Sequence, residues 1–268
     1  MTGFWDGEYR EQACWADTAE QLIALVQFPS GARVLDVGTG DGGTLFRVLD
    51  RVGPDARVVS IDIEGKWVDW TRREVARRGI RNADLLEMDA RAMEFADASY
   101  DVAILGLVGL DDEYDFERGR SLGDASIVRE AARVLVPGGM AYLSGWLWQE
   151  DSEWMGELVR LFLPGCTKRG YAPSTEAGYI DILRGAGFEN IRTAKVEGCS
   201  TFEHPAEWMA TLRPIWEPEI SRICAQPGAR EAFEDAAQTL LAEHLDAEGR
   251  IAYARPAICL AAQKPDAH

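Results

Sequence analysis

The sequence predicts an α/β fold, in which a mostly parallel β-sheet carries α-helices on both faces. One observation behind this prediction is the alternation of short apolar, strand-like runs with helical patterns through the first two thirds of the chain. A second is a glycine-rich turn directly after the first of these runs. The 268 residues, 47% of them hydrophobic, suffice for one large domain or for a domain with a lid.

The first part of the chain shows the alternation most clearly. Short apolar runs predict strands at 33–37, 57–61, 83–88, 100–107 and 140–146. Helical spacing lies between them at 45–52, 65–78 and 125–136. Pro137, Gly138 and Gly139 predict a sharp turn after the third helix. Because parallel strands need a crossover connection, these helices are expected to cross over with right-handed sense.

The last third of the chain follows a different pattern. A helix at 175–184 is followed by a strand at 190–196, and a final strand is predicted at 257–262. A helical stretch from 204 to 245 separates these two strands, where a simple connection has about 2–6 residues. We therefore expect a helical, substrate-covering insertion at 199–251, within a cofactor-binding domain formed by residues 1–198 and 252–268.

Composition and charge disfavour several classes of function. The net charge of −17, from 28 basic and 45 acidic residues, disfavours a nucleic-acid partner, because such proteins gain affinity by neutralising phosphates. No apolar run approaches the roughly 20 residues that span a bilayer, so no membrane partner is expected. The five cysteines are dispersed, which is typical of reduced thiols and predicts no metal site. Without a signal-peptide pattern at the N-terminus, we expect a cytoplasmic protein.

The strongest local signal is the turn at 34–42, with the sequence VLDVGTGDG. Gly38 and Gly40 let the backbone turn tightly and approach a ligand, and together with Gly43 they also fit the dinucleotide pattern G-x-G-x-x-G. Asp36 discriminates between a dinucleotide, which carries a pyrophosphate, and a ligand with cationic groups. A carboxylate repels a pyrophosphate, whereas a ligand with a cationic amino-acid group and a sulfonium tolerates it. Asp36 therefore favours S-adenosyl-L-methionine over a nicotinamide cofactor.

Two further carboxylates follow neighbouring predicted strands. Asp62 comes directly after the second strand and is expected to accept hydrogen bonds from both ribose hydroxyls. Asp89, followed by Ala90, comes after the third strand and is expected to accept from the exocyclic amine of adenine. Because ligands bind at the carboxyl edge of an open parallel sheet, these positions predict one elongated ligand site.

These segments resemble the class I S-adenosylmethionine-dependent methyltransferase family. The resemblance covers residues 34–146 well and residues 178–196 more weakly. The segments that carry it share their position at strand ends and turns, and they are 34–42, 61–63, 87–90, 99–104, 133–139 and 179–188. The resemblance implies a Rossmann-like, seven-stranded, mostly parallel sheet whose last strand runs antiparallel, with S-adenosyl-L-methionine as the methyl donor.

The resemblance also implies further cofactor contacts. Thr39 lies in the matching glycine-rich loop, and Ile63 lies beside the ribose-binding strand end. Trp67 falls where the family often places an apolar residue against adenine, although packing beneath the helix explains it equally well. Leu105 and Gly106 follow the fourth strand and are expected to approach the cofactor through backbone atoms.

Residues for the acceptor and for catalysis are harder to identify. His204 is the candidate general base, against a structural role where the predicted long helix begins. Trp146, Tyr171 and Trp208 are candidates for an aromatic acceptor pocket, although the helical spacing of Trp208 also fits a core position. The acidic segment 111–117 either receives a cationic amine or is solvated.

The leading hypothesis is therefore a methyltransferase that acts on an oxygen, nitrogen or carbon atom of a small-molecule acceptor. A nicotinamide-dependent oxidoreductase is the alternative that the glycine pattern favours. A cofactor-binding protein of this fold that does not methylate is the third hypothesis, because a fold alone does not fix chemistry. The sequence leaves a homodimer open.

Overall fold

The computed structural model describes residues 4–7, 13–110, 113–122, 126–168 and 174–267. Its strands, in chain order, are β1 (Arg33–Val37), β2 (Arg57–Asp62), β3 (Ala83–Glu87), β4 (Tyr100–Leu105), β5 (Tyr114–Asp115), β6 (Arg120–Ser121), β7 (Leu135–Trp146), β8 (Glu189–Val196), β9 (Cys199–Phe202), β10 (Ile251–Ala254) and β11 (Ala257–Gln263). Its helices are α1 (Ala13–Leu25), α2 (Gly43–Leu49), α3 (Gly65–Arg77), α4 (Ile127–Val134), α5 (Glu150–Phe162), α6 (Glu176–Gly185), α7 (Pro205–Cys224) and α8 (Ala229–Ala242). Within the described ranges, no helix is long and apolar enough to cross a membrane.

A seven-stranded sheet organises the fold, with the strand order β3-β2-β1-β4-β7-β11-β8. The first five of these strands pair in parallel, and β11 pairs antiparallel with both of its neighbours. This arrangement confirms the predicted seven-stranded, mostly parallel sheet with an antiparallel last strand.

The central strand β1 shows how the sheet positions a ligand site. Its residues from Val34 onward are buried, as expected for a strand that is covered on both faces. The register places Val37 opposite Ile61 on one side and Leu105 on the other. The three strands therefore end at the same level, and the loops that follow them meet at one carboxyl edge.

An apolar core on one face of the sheet holds these strand ends in place. It includes Leu35, Val37 and Leu105 from the strands, together with Val128 and Ala131 from α4. Each such side chain contributes about 1.5–3 kcal/mol when it is removed fully from water. The positions of the loops at the carboxyl edge thus follow from the packing beneath them.

Contacts divide the chain into two compact units. The sheet unit comprises residues 16–147, 174–196 and 257–268, as far as they are described, and it contains the whole seven-stranded sheet. The helical unit comprises residues 1–15, 148–173 and 197–256, also as far as they are described. In the helical unit α5, α7 and α8 pack against one another, and β9 pairs antiparallel with β10. The insertion expected at 199–251 lies in this unit, and its boundaries stay a prediction.

Two predicted elements differ from the structure. The helical stretch expected at 204–245 is two helices, α7 and α8, because the chain breaks before α8 at Gly228, whose φ is +71°. The turn predicted at 137–139 lies inside β7, where Gly138 has a φ of +74°. There Tyr100 pairs with Leu135 while Val102 pairs with Met140, so the extra residues form a bulge in the strand.

Candidate functional site

A cavity of about 280 Å³ opens at the carboxyl edge of the sheet, and it lies entirely within the sheet unit. Its lining comes from the segments that follow β1, β2, β3 and β4, and from the start of α4. The lining residues are Val37, Gly38, Ile61, Asp62, Ile63, Met88, Asp89, Ala90, Arg91, Val108, Gly109, Glu113 and Ile127. The structure thus brings together six residues predicted for the cofactor: Gly38, Asp62, Ile63, Asp89, Ala90 and, through the adjoining loop, Gly40.

The glycine-rich loop forms one wall of the cavity. Gly38 has a φ of +80° and Gly40 a φ of +49°, a backbone region that side chains with a Cβ rarely adopt. A Cβ at Gly38 would lie 3.0 Å from the Val108 Cγ2 on the facing loop. The backbone nitrogens of Gly38 and Thr39 both donate to the Ile61 carbonyl, at 2.8 and 2.9 Å. Glycine at position 38 therefore keeps the cavity open while the loop stays anchored to β2.

Asp62 is held rigidly beside this loop. Its Oδ2 accepts a hydrogen bond from the Gly40 nitrogen at 2.8 Å, and its Oδ1 accepts one from the Glu64 nitrogen at 2.9 Å. A carboxylate has about four acceptor positions, so lone pairs remain on both oxygens. The arrangement suits a pair of neighbouring hydroxyls, as predicted for the ribose.

Asp36 lies beneath the loop and does not line the cavity. The side chain is fully buried, and its Oδ2 accepts a hydrogen bond from the Ser60 hydroxyl at 2.5 Å. The Thr39 hydroxyl lies 2.5 Å from the same Ser60 oxygen, and Thr39 is itself buried. Burial raises the pKa of Asp36 to about 7, the Ser60 hydrogen bond opposes this rise, and the charge of Asp62 adds to it. Asp36 and Thr39 thus support the loop from below.

At the far end of the cavity, Asp89 is engaged by its own neighbour. Its two oxygens accept from three N–H groups of Arg91, the backbone nitrogen, Nη2 and Nε, and the Nε hydrogen is shared between both oxygens at 3.0 and 3.2 Å. These bonds lower the pKa of Asp89. Arg91 itself lines the cavity, a position for which the sequence pattern held no signal.

The lining of the cavity differs from the prediction at Trp67 and directly after β4. Ile63, 58% exposed, lines the cavity, whereas Trp67 on α3 does not and instead has the Lys66 ammonium 5.3 Å from its ring centroid. After β4, the cavity is lined by Val108 and Gly109.

The residues predicted directly after β4 lie deeper. Leu105 is buried in the sheet core. A Cβ on Gly106 would meet the Thr44 side chain, so this glycine serves the packing of α2 against β4. Leu105 and Gly106 therefore do not line the cavity, because the chain after β4 reaches its wall only at Val108 and Gly109. Trp67, on α3, does not line the cavity either.

Glu113 is a cavity residue that the sequence could only place within the charged segment 111–117. It is 8% exposed, and its Oε1 accepts a hydrogen bond from the Ile127 nitrogen at 2.8 Å, at the start of α4. Residues 111 and 112 lie outside the described residues. In the same segment, the Asp115 carboxylate forms an ion pair with Arg118 at 2.8 Å.

The described candidate residues for the acceptor and for catalysis belong to different units. His204 lies in the helical unit, exposed at the N-cap of α7, where its side chain makes no capping hydrogen bond. Trp208 is fully enclosed in that unit and donates its Nε1 hydrogen to the Asp151 carbonyl at 3.2 Å, which is the core position that its helical spacing favoured. Trp146 is buried at the end of β7 in the sheet unit, where its carbonyl accepts from the Tyr179 hydroxyl. Tyr171 lies outside the described residues.

Comparison with known proteins identifies the family. The family described as "Methyltransferase domain" matches residues 34–139. Nocamycin O-methyltransferase of Saccharothrix syringae is 39% identical over 223 residues, which cover 74% of this chain and 76% of that protein. Aklanonic acid methyltransferase DauC of Streptomyces sp. (strain C5) is 36% identical over 84 residues, and there the match covers 31% of this chain and only 38% of the relative's length.

Solved structures show the same fold. The YcgJ protein of Bacillus subtilis superposes with a TM-score of 0.60 at 18% identity, over 93% of this chain and 99% of that one. The matched family and the relative that spans most of the chain agree with S-adenosyl-L-methionine, the cofactor that Asp36 and the glycine-rich loop predicted, and they do not favour a nicotinamide-dependent oxidoreductase. The chain therefore belongs to the class I methyltransferase family, whose methyl donor is S-adenosyl-L-methionine.

Proposed function

We propose that this protein transfers the methyl group of S-adenosyl-L-methionine to an oxygen atom of a small-molecule acceptor. The observation that carries the proposal is the placement of Gly38, Asp62, Ile63 and Ala90 around a single cavity at the carboxyl edge of the sheet. The choice of oxygen rests on the similarity to nocamycin O-methyltransferase, at 39% identity over most of both chains.

The residues present fit the cofactor. Two neighbouring ribose hydroxyls can donate to the fixed carboxylate of Asp62, and such charge-assisted hydrogen bonds contribute about 1.5–3 kcal/mol each. Apolar side chains of Ile63, Met88 and Val108 provide walls for a flat, largely apolar adenine ring. Gly38 leaves room for a ligand to approach the backbone.

S-adenosyl-L-methionine, when bound, supplies an electrophilic methyl group on a sulfonium sulfur. The chain then has to hold the acceptor in line with that group and keep water away, which can supply several kcal/mol of the acceleration. An acceptor hydroxyl also has to lose a proton, and His204 is the candidate base for this step. Trp146 and Tyr171 stay candidates for acceptor contacts, and the insertion at 199–251 for substrate binding.

Binding and turnover test the proposal separately. Isothermal titration calorimetry with S-adenosylhomocysteine, the demethylated product, is expected to give a Kd well below about 1 mM. Incubation with methyl-labelled cofactor and a panel of hydroxyl, carboxyl, amine and activated-carbon acceptors, followed by mass spectrometry, is expected to show one added methyl group on oxygen. No binding would contradict the cofactor assignment, and methyl transfer only to nitrogen or carbon would contradict the choice of oxygen.

His204 can be tested within the same assay. The variant His204→Ala is expected to lower kcat for a hydroxyl acceptor while the Kd for S-adenosylhomocysteine stays unchanged, because the residue lies outside the sheet unit that contains the cavity. Glu243→Ala, at another exposed position in the same unit, is the matched control. Equal activity of the two variants would remove His204 from the mechanism. The expected cytoplasmic location and the homodimer stay predictions, and sedimentation velocity of the purified chain checks the second.

A further inference from the structure

Leu107, two residues after β4, has a backbone conformation that L side chains rarely adopt. Its φ is +55°, in the left-handed region. An unrestrained leucine populates this region about 5- to 30-fold less than the right-handed helical region, because its Cβ crowds the following carbonyl oxygen. Of the three non-glycine residues with a positive φ that the structure describes, Leu107 alone is next to a residue that lines the cavity. Such a conformation persists only where the surrounding structure holds it.

The hydroxyl of Ser144 supplies this restraint. Its Oγ accepts a hydrogen bond from the Leu107 nitrogen at 3.0 Å, and Ser144 is 1% exposed. The pairing of β4 with β7 ends where Leu105 lies opposite Leu143, so the hydroxyl meets the chain just after it leaves the sheet. One such hydrogen bond favours a conformer by about 2- to 13-fold, which is comparable with the penalty at Leu107. Loss of the hydroxyl therefore shifts the balance between conformers.

The left-handed turn at Leu107 determines where Val108 lies. Val108 lines the cavity, and its Cγ2 is 3.0 Å from the position that a Cβ on Gly38 would take. The residue before the turn is already fixed, because a Cβ on Gly106 would overlap the Thr44 side chain. Leu107 is thus the residue at which the chain turns from the packed end of β4 to the wall of the cavity.

We propose that Ser144 is a positioning residue for the cofactor cavity. Its hydroxyl holds Leu107 in the left-handed conformation, and this conformation presents the Val108 side chain opposite Gly38. The inference rests on the proposed function, because it presumes that the cofactor binds in this cavity. Ser144 does not line the cavity itself, so it acts through Leu107 and Val108. Without the hydroxyl, a smaller fraction of the protein has the binding conformation, and the apparent affinity falls by that fraction.

The test measures the Kd of S-adenosylhomocysteine for the full chain by isothermal titration calorimetry. Ser144→Ala is expected to raise this Kd at least about fivefold, through the change in population at Leu107. Ser152→Ala removes another buried hydroxyl, but in the helical unit, and is expected to keep the wild-type Kd. An unchanged Kd in Ser144→Ala would overturn the proposal, and so would an equal rise in both variants.

A second substitution separates positioning from a general structural effect. Glycine and alanine both remove the side chain of Leu107, but only glycine adopts a positive φ freely. In the Ser144→Ala background, Leu107→Gly is therefore expected to return the Kd to that of Leu107→Gly alone, whereas Leu107→Ala is expected to leave it raised. Equal Kd values for the two double variants would overturn the proposal, because the backbone conformation at position 107 would then have no effect on binding.

Two remaining outcomes are also decisive. If Ser144→Ala does not fold, as judged by circular dichroism, Leu107→Val takes its place, because a β-branched residue is strongly disfavoured at a positive φ. Leu107→Val is expected to raise the Kd with the hydroxyl still present, and an unchanged Kd would count against the proposal. Failure of the wild-type chain to bind S-adenosylhomocysteine would contradict the proposed function itself and this inference with it, whereas equal binding by wild type and Ser144→Ala would contradict only the inference.

Discussion

The carboxylate of Asp62 accepts a hydrogen bond from the Gly40 nitrogen at 2.8 Å, and it thereby ties the end of β2 to the loop after β1. The same side chain also binds the Glu64 nitrogen at the start of α3. One residue thus orders the glycine-rich loop and presents acceptors to the proposed ribose position.

Asp62→Ala is therefore expected to weaken S-adenosylhomocysteine binding by about 1–3 kcal/mol, or roughly 5- to 150-fold in Kd. The ligand loses an acceptor, and the loop loses its anchor. Isothermal titration calorimetry measures the change. Asp55→Ala, which removes an exposed carboxylate just before β2, is expected to leave Kd unchanged. An unchanged Kd in Asp62→Ala would mean that the ribose lies elsewhere.

Gly38 offers a second test of the cavity, with Gly31 as its matched control. Both glycines have a positive φ, +80° and +66°, so alanine at either position strains the backbone by about 1–2 kcal/mol. Only at Gly38 does the new Cβ meet a cavity residue, the Val108 side chain at 3.0 Å, whereas the space around Gly31 is open. Gly38→Ala is expected to lower both thermal stability and ligand affinity, and Gly31→Ala to lower stability alone. Equal affinities would show that the ligand does not approach this loop.

The parts of the site that sequence predicts well are those fixed by strand ends. Asp62 and Ile63 follow a strand whose apolar pattern is unambiguous, and the parallel register then places them beside Gly38 without further information. The same reasoning placed the glycine-rich loop and Ala90. Local pattern and sheet geometry were sufficient after β2 and β3, but not after β4, where Leu105 and Gly106 do not line the cavity.

Side-chain pairing is what the sequence could not provide. Asp89 lines the cavity as expected, and Arg91 two residues later forms an ion pair with it that no sequence pattern distinguishes from a solvated arginine. Glu113 lies directly before the hairpin of β5 and β6, in a segment whose charged residues give no strand or helix period. Trp208 has the spacing of a core residue and of a pocket residue alike, and only tertiary packing decides between them.

In the helical unit, a buried ion pair joins α5 to the residue after β10. The Arg255 Nε and Nη2 donate to the Asp151 Oδ1 and Oδ2 at 2.7 and 2.8 Å, and both side chains are essentially inaccessible to solvent. Burial alone would lower the pKa of Arg255, but the charge and the hydrogen bonds of Asp151 outweigh it and raise that pKa. Removing one partner leaves a charge buried without compensation.

Asp151→Asn and Arg255→Met are therefore each expected to lower the free energy of unfolding by about 3–5 kcal/mol, and the double variant by clearly less than their sum. Denaturant unfolding of the three variants measures the coupling. The exposed pair Arg213 and Glu217 on α7 is the matched control, with an expected coupling of about 0.3–0.5 kcal/mol. Additive effects for Asp151 and Arg255 would mean that water reaches the pair.

Asp36 should make the stability of the ligand-free protein depend on pH. Folding raises its pKa from the ordinary 3.8 to about 7, so between these values the folded protein binds more protons than the unfolded chain. The free energy of unfolding therefore falls as pH rises from about 4 to about 7, by up to about 4 kcal/mol from this one group.

The variant Asp36→Asn is expected to remove this dependence, because an amide does not titrate. Urea unfolding of variant and wild type at about pH 5 and about pH 8 measures the difference in slope. Asp50→Asn, at an exposed carboxyl group that ends α2, is expected to follow the wild type. If the free energy of unfolding of the wild type, relative to that of Asp36→Asn, does not fall between the two pH values, Asp36 is charged at both of them in the folded protein.

The apolar wall for the adenine can be identified by comparing Ile63 with Trp67. Ile63 is 58% exposed and lines the cavity, so Ile63→Ala is expected to raise the Kd for S-adenosylhomocysteine about fivefold through lost contact area, with little change in thermal stability. Trp67 is half-buried on α3 outside the lining, so Trp67→Ala is expected to lower stability and keep the Kd. Trp70→Ala, at an exposed position on the same helix, should change neither greatly. If Trp67→Ala raises the Kd and Ile63→Ala leaves it unchanged, the adenine stacks against the indole of Trp67 and does not contact Ile63.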